Sequence, residues 1–282
     1  AITADKPKYA IAWKLNDDAD AVTTTVVRLD WNISKNGQLV PRAEIKPVRL
    51  QGVTVTYATC NNAAWAKDRG IGPGAEIRVI RSGEVIPKII AVTKPAAVKL
   101  PAFLEGHPVE WDANQTHLVV KKARKLDSVK AKRLHAFFSK MEVDHIGPEV
   151  AARFVAAGHD TVIKALRLTA DQIESIDGFG AVGARKVYAS IQGVFTRARP
   201  LPLIMAASGV FGAGVGERRF KTIEAVDRKL LHKVNVKKVA AIKGMAEFVI
   251  ADYEQNLERF WIFMKKTGLP YAQAAKAVKP VK

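Results

Sequence analysis

The chain has 282 residues, with 45 lysines and arginines against 27 aspartates and glutamates, so its formal net charge is +18 and its pI is about 10.0. A hydrophobic content of 48% excludes a disordered basic tail and indicates a folded protein of roughly two domains whose partner is a polyanion, most simply nucleic acid. The single cysteine, Cys60, excludes a disulfide framework and any zinc site built from several cysteines.

The first hundred residues predict short strands. The stretches are rich in β-branched residues or alternate in polarity, and the turn dipeptides Asn36-Gly37 and Ser82-Gly83 interrupt them. Strands at this spacing, mostly without helices between them, are typical of a small β-barrel. The predicted strands are residues 9–13, 22–29, 52–58, 76–80 and 84–90.

A connector and then helices follow this region. Residues 95–120 contain several prolines and a possible small hairpin of residues 109–111 and 117–120. From Ser128 onward, the apolar residues recur at spacings of three and four, which predicts short helices. Residues 1–120 carry 15 basic and 12 acidic residues, a net charge of +3, whereas residues 121–282 carry 30 and 15, a net charge of +15. The helical half is therefore expected to attract the polyanion.

An internal near-repeat punctuates the helices. Each copy places a turn containing an apolar residue and a glycine just before a predicted helix, and the final glycines are Gly147, Gly180 and Gly216, with a degraded fourth copy near Gly244. Glycine permits the tight turn and close approach of a ligand, and the free amides at the start of the next helix favour an anion. This arrangement is that of a helix-hairpin-helix motif, which grips phosphates without reading sequence.

Candidate DNA-binding residues follow from these turns and from the barrel. Basic side chains just past each turn add phosphate attraction, although any single one is equally consistent with a solvated helix face. In the helical half the candidates are His145, Gly147, Arg153, Gly178, Gly180, Arg185, Lys186, Gly214, Gly216, Arg218 and Arg219. In the barrel they are Arg28, Lys35 and Arg81, of which Lys35 is the best placed because the adjacent turn projects it.

Two other interpretations compete for the repeat. Residues 178–183 match the G-x-G-x-x-G dinucleotide fingerprint, but that motif requires a preceding strand and residues 169–176 resemble a capped helix. A period near 34 also suits a helical repeat scaffold, which needs neither a glycine turn in each repeat nor this charge.

No complete active site is apparent. The six histidines show no triad or metal-ligand spacing, and Cys60 is best interpreted as a small packing residue. The sequence contains no apolar signal-peptide core and no apolar run of membrane-spanning length, so we expect a cytoplasmic protein without a membrane partner.

Several stretches resemble the NAD-dependent DNA ligases of bacteria and their viruses. Residues 6–14 resemble the last nucleotidyltransferase motif, Pro-x-Trp-Ala-x-Ala-aromatic-Lys, and residues 33–41 resemble the element Val-Gly-Arg-Thr-Gly-x-x-x-Pro, with Lys35 in place of its arginine. Further elements follow in family order at residues 52–55, 58–62, 71–74 and 81–87. The resemblance implies an oligonucleotide-binding (OB) barrel followed by a helix-hairpin-helix domain.

The resemblance also implies differences from the complete enzyme. The adenylation motif Lys-x-Asp-Gly is absent from the sequence, and so are counterparts of the adenylating core, the NAD-gripping helices and the BRCT module. Residues 101–125 occupy the place of a four-cysteine zinc module without one cysteine, so we expect no zinc. The expected domains are a strand at 1–16 that completes a nucleotidyltransferase domain, an OB-fold at 17–98, a connector at 99–125, a helix-hairpin-helix domain at 126–268 and a flexible basic tail at 269–282.

By this resemblance, the chain is a DNA-clamping subunit or fragment of a ligase. It would hold nicked double-stranded DNA while a separate polypeptide carrying Lys-x-Asp-Gly uses NAD and Mg²⁺ for sealing. Lys14 would be the catalytic residue near the adenylate, and the chain alone would be inactive. The alternative is a ligase-derived architectural protein without catalysis. A helix-hairpin-helix protein of excision repair or junction processing is disfavoured by the barrel elements.

Overall fold

The computed structural model of the protein describes residues 21–82, 86–212 and 214–272. These residues form two units, one of residues 21–34 and 38–121 and the other of residues 35–37 and 122–272. The strand predicted within residues 1–16, including Lys14, lies outside the described residues. Among the described residues, no helix combines the length and the apolar character that crossing a membrane requires.

The first unit contains a closed barrel of five strands. The elements are β1 (Val22–Ile33), β2 (Gln38–Leu50), β3 (Val53–Thr59), α1 (Ala63–Asp68), β4 (Glu76–Ser82) and β5 (Ile86–Lys94). Strand β1 pairs antiparallel with both β2 and β4, and a parallel pair joins β3 to β5, so the ring closes in the order β1-β2-β3-β5-β4. This order, with one helix between β3 and β4, is consistent with an OB-fold.

Alternating residues fill the barrel. Ile77 and Val79 on β4 and Ala43 on β2 are fully buried, as the period of two in a half-buried strand requires. Cys60 follows β3 and is only 3% exposed, which confirms a packing residue and raises the pKa of its thiol to about 12 through burial. The β2–β3 connection is a tight turn in which Gln51 and Gly52 both have positive φ, 48° and 79°.

The connector extends the barrel sheet. Strands β6 (Phe103–Leu104), β7 (His107–Trp111) and β8 (Leu118–Val120) form an antiparallel series, and β8 pairs with β2. The predicted hairpin is thus present. Its β7–β8 loop is closed by Asp112, whose carboxylate accepts the Thr116 amide at 2.8 Å. Burial alone would raise the pKa of the Asp112 carboxyl, but hydrogen bonds from the Thr116 and His117 amides outweigh it and lower the pKa.

The second unit is helical, which confirms the predicted class of a β-barrel followed by helices. Residues 199–200 and 271–272 pair as two short parallel strands, β9 and β10. The sequence reasoning placed the start of a flexible tail at residue 269, whereas Leu269 is 4% exposed and Tyr271 lies in β10. The helices are α2 (Asp127–Lys140), α3 (Pro148–Ala156), α4 (Val162–Ala165), α5 (Ala170–Glu174), α6 (Ala181–Thr196), α7 (Leu201–Ala207), α8 (Glu217–Val226), α9 (Val236–Ala240) and α10 (Glu247–Thr267).

The apolar stripe of α10 organises the helical core. Val249, Tyr253, Leu257, Phe260 and Met264 recur at spacings of three and four and are all buried. The Tyr253 hydroxyl donates to a backbone carbonyl at 2.8 Å, so its burial leaves no polar group unsatisfied. The core therefore fixes α10 along its length and with it the loops that connect the shorter helices.

Candidate nucleic-acid interface

Four turns in the helical unit share one backbone conformation. Each begins with a residue in the left-handed region, continues with an apolar residue packed against the core, and ends with an extended residue that caps a helix. We call them turn 1 (residues 145–147, before α3), turn 2 (178–180, before α6), turn 3 (214–216, before α8) and turn 4 (244–246, before α10). Their first residues have φ of 65°, 83°, 87° and 87°.

The first and last turns differ from the glycine pattern in sequence but not in backbone. His145 adopts the left-handed conformation in turn 1, which a non-glycine residue rarely does. Turn 4 ends in Ala246 where the other three turns end in glycine, and Ala246 has the same extended conformation, with φ −71° and ψ 156°. The degraded fourth copy is therefore a turn of the same shape.

The helices that follow these turns present free amides. The first amides of a helix have no intrahelical acceptor and carry the positive end of the helix dipole. At α3, α6, α8 and α10 no side chain caps them, whereas the connecting helices α4, α5 and α9 are capped by Thr161, Thr169 and Asn235. Helices α2 and α7 also lack a side-chain cap, but neither follows a left-handed turn of this kind. Four helix starts are thus available to an anion.

Turn 2 is the most favourable of the four for an anion. Helix α6 has no acidic residue in its first turn, whereas the first turns of α3, α8 and α10 contain Glu149, Glu217 and Glu247. The Glu217 carboxylate is an exception among these, because Lys140 and Lys221 both bond to it and hold its pKa below the usual range. Repulsion of a phosphate is therefore weakest at turns 2 and 3.

The basic candidates near the turns fall into two groups. Arg185 and Lys186 on α6 and Arg218 on α8 are exposed, close to the helix starts, and accessible to a phosphate. Arg153 instead donates from Nη1 to the Gly178 carbonyl at 2.7 Å. Arg219 lies with its guanidinium carbon 5.4 Å from the centre of the Phe248 ring. The sequence predicted all five as one class, and the structure separates them by their contacts.

The barrel candidates lie apart from one another along the strands. Lys35 is exposed in the β1–β2 turn, Arg81 is half-buried near the end of β4, and Arg28 lies within β1. The Arg28 guanidinium contacts Asp30 at 2.7 Å and Glu44 at 2.9 Å, and these carboxylates raise its pKa, with the Asp30 hydrogen bond contributing most. The Arg28–Glu44 ion pair is not predictable from the sequence, because only the pairing register of β1 and β2 places Glu44 opposite Arg28.

A metal site is not formed by the described residues. No group of three or more histidine, cysteine or carboxylate side chains comes together within the part of the chain that the structure describes. Residues 99–125 contain no cysteine, and their hairpin is held by strand pairing with β2 instead. This segment therefore supplies none of the cysteine ligands of a four-cysteine zinc site.

Comparison with known proteins identifies the barrel and relates most of the chain to DNA ligases. Residues 23–99 match the NAD-dependent DNA ligase OB-fold domain. The chain is 34% identical over 271 residues to a DNA ligase of Acanthamoeba polyphaga mimivirus, which covers 93% of this chain and 42% of the viral protein.

Bacterial relatives give the same result. A DNA ligase of Desulfatibacillum aliphaticivorans is 29% identical over 91% of this chain and 40% of its own length, and one of Desulfotalea psychrophila is 31% identical over 85% and 36%. The chain therefore spans 36–42% of the length of these three relatives. The region it matches is the C-terminal part of the full-length ligases.

Proposed function

Because this chain is related to the C-terminal part of the NAD-dependent DNA ligases and contains their OB-fold domain, we propose that it holds nicked duplex DNA during nick sealing. In this proposal the helical unit is a helix-hairpin-helix domain that binds the duplex backbone. The observation that carries it is the set of four turns, each followed by a helix start without a side-chain cap, in the half of the chain with a net charge of +15.

The contacts expected at the duplex are of two kinds. Amides at the starts of α6 and α8 donate to phosphate oxygens, and Arg185, Lys186 and Arg218 add charge beside them. Such contacts position the protein and carry no sequence information, as sealing of any nick requires. The barrel adds Lys35 and Arg81, with Arg28 limited by its two carboxylate partners.

Adenylation belongs to another segment in this proposal. The 282 residues contain no Lys-x-Asp-Gly motif, so a polypeptide segment that carries this motif supplies the adenylated lysine. In the complete ligase, NAD would serve as the adenylate donor and Mg²⁺ would serve the phosphate chemistry, and by the resemblance Lys14 would be the catalytic residue that this chain contributes. The barrel, as proposed, closes over the nick while the helical unit grips the flanking duplex.

The binding half of the proposal is tested by salt titration. Fluorescence anisotropy of a labelled nicked duplex is measured between 50 and 200 mM salt, and affinity should fall by about 10³-fold or more if six or more phosphates are contacted. Arg185→Ala should reduce the steepness of the logarithmic salt dependence by about 0.9, as expected for one lost phosphate contact. Lys237→Ala, on the side-chain-capped helix α9, is the matched control and should leave it unchanged. A flat salt response would refute the clamp.

The sealing half is tested by reconstitution. The chain is mixed with NAD, Mg²⁺, a nicked duplex and an adenylating polypeptide that carries Lys-x-Asp-Gly. Formation of the sealed product should require both polypeptides. Lys14→Ala should abolish sealing and leave DNA affinity unchanged. Efficient NAD-driven sealing by the chain alone would contradict the proposal. Binding without sealing in any reconstituted mixture would favour the architectural protein.

A further inference from the structure

Arg153 is held by the neighbouring turn. The side chain leaves α3, which follows turn 1, and its Nη1 donates to the carbonyl of Gly178, the first residue of turn 2, at 2.7 Å. Its guanidinium carbon lies 5.6 Å from the centre of the Phe179 ring, the apolar residue of that turn. The same Phe179 ring stacks on Phe154, the next residue after Arg153, with ring centres 6.1 Å apart. Arg153 and Phe154 of α3 therefore contact both the backbone of turn 2 and its Phe179 side chain.

Two features favour glycine at position 178: its positive φ and the close approach of the Arg153 guanidinium. Gly178 has φ of 83°, and a Cβ placed on it would lie 2.5 Å from Nη1 of Arg153. A side chain at this position would therefore both strain the backbone and displace the guanidinium. Gly180, the last residue of the same turn, has no heavy atom within 4 Å of such a Cβ. The close packing is confined to the side of the turn that faces Arg153.

A second arginine makes a similar contact between turns 3 and 4. The guanidinium of Arg219 lies over Phe248 in the first turn of α10. A Cβ on Gly214, the left-handed residue of turn 3, would lie 3.2 Å from Nη1 of Arg219 and 3.0 Å from Phe248. Arg153 thus joins turn 1's helix to turn 2, and Arg219 joins turn 3 to turn 4's helix.

We infer that Arg153 and Arg219 are positioning residues that hold adjacent turns in a fixed arrangement, so that paired helix starts meet one duplex backbone together. This inference rests on the proposed DNA-binding function and adds a division of labour among its basic residues. At Arg153 the planar guanidinium is needed because it bonds a carbonyl and covers an aromatic ring at the same time, which a lysine ammonium does not reproduce. Arg219 makes the ring contact. Arg153 is exposed as well, but its guanidinium is engaged with turn 2, so phosphate contact is left to Arg185, Lys186 and Arg218.

Charge-conserving variants test this inference at Arg153. Arg153→Lys and Arg153→Ala are compared with Arg185→Lys and Arg185→Ala for affinity to nicked duplex, with thermal unfolding as the check on folding. We expect Arg153→Lys to lose affinity about as much as Arg153→Ala, roughly tenfold, because both release turn 2. Arg185→Lys should retain most of the affinity, because a phosphate accepts a lysine as well.

Coupling to the ring provides the second readout. In a Phe179→Leu background, Arg153→Lys should cost less affinity than the roughly tenfold lost in the wild-type background, because the ring contact is already gone and only the bond to the Gly178 carbonyl is lost. The inference is overturned if Arg153→Lys binds like the wild type while Arg153→Ala reduces the salt dependence by about 0.9, the behaviour of a phosphate ligand. Wild-type affinity in both Arg153 variants also overturns it. If the unmodified protein showed no salt-dependent binding to nicked duplex, that result would instead overturn the proposed function.

Discussion

Gly180→Val separates binding from folding at turn 2. Gly180 has φ −102° and ψ 166°, an extended conformation that a β-branched residue adopts readily, and a Cβ there meets no heavy atom within 4 Å. Ala246 already occupies the equivalent position of turn 4. Valine is a poorer cap than glycine by about 1 kcal/mol, and the reduced freedom of the unfolded chain offsets about 0.4–1 kcal/mol of this. We therefore expect a shift in Tm of less than about 4 °C.

The effect on DNA affinity should be much larger. The valine methyl groups occupy the space in front of the first α6 amides, and a phosphate oxygen must come within about 2.7–2.9 Å of them to bond. Loss of one hydrogen bond to a charged group costs about 1.5–3 kcal/mol, which corresponds to roughly 10- to 150-fold weaker binding. Anisotropy with a nicked duplex measures this effect.

Two further variants serve as comparisons for the DNA affinity of Gly180→Val. Gly180→Ala should give an intermediate loss, because one methyl blocks less of the approach. Gly193→Val, on the same helix and also without atoms near its Cβ, is the control and should bind like the wild type. If folded Gly180→Val binds nicked duplex with wild-type affinity, the start of α6 does not contact a phosphate and the reasoning fails.

Three further predictions, one of them with a control variant, concern the stability of the helical unit. Gly178→Ala should lower the free energy of unfolding by about 1–3 kcal/mol in denaturant titration. Gly268→Ala, which has a positive φ but open space, is the control for backbone strain alone and should lose about 1–2 kcal/mol, and a smaller loss at Gly178 than at Gly268 would contradict the Arg153 contact. Glu217 has its pKa lowered by two lysine partners, so its stabilisation is present above pH 4.5 and is lost as the pH falls through the lower folded pKa. Glu217→Gln should therefore flatten the acid limb of stability against pH. Tyr253→Phe should cost about 1–2 kcal/mol by calorimetry, because it leaves buried carbonyls without a donor; no loss would show that water replaces the hydroxyl.

Local chemistry made much of the fold predictable. Alternating or β-branched residues identified β1, β3, β4 and β5, but β2 (Gln38–Leu50), which contains Pro41 and Pro47, was not predicted. The Asn36-Gly37 pair identified a real turn, with φ of 84° at Gly37. The capped helix before turn 2 was also predictable, since Thr169 and Gln172 form a capping box that excludes the strand a dinucleotide fingerprint needs. These features depend on neighbours within a few residues, which a sequence displays directly.

The contacts that sort the basic residues were not predictable in this way. Arg153 and Gly178 are 25 residues apart, and their hydrogen bond exists only because the tertiary structure brings α3 beside turn 2. The left-handed conformation of His145 is signalled only by its place in the near-repeat, where it aligns with Gly178 and Gly214, because a histidine does not by itself predict that conformation. The positions of the glycine turns were therefore readable from the sequence, whereas the contacts of individual side chains required the tertiary structure.

The burial of Cys60 has a practical consequence for studying this protein. It is the only cysteine of the chain, it is 3% exposed, and the raised pKa keeps its thiol protonated at neutral pH. A cysteine introduced on the surface, for example at the exposed Lys237, would thus be the single reactive thiol without any change to the native sequence elsewhere. Fluorophores or cross-linkers attached there would report distances to a labelled duplex directly.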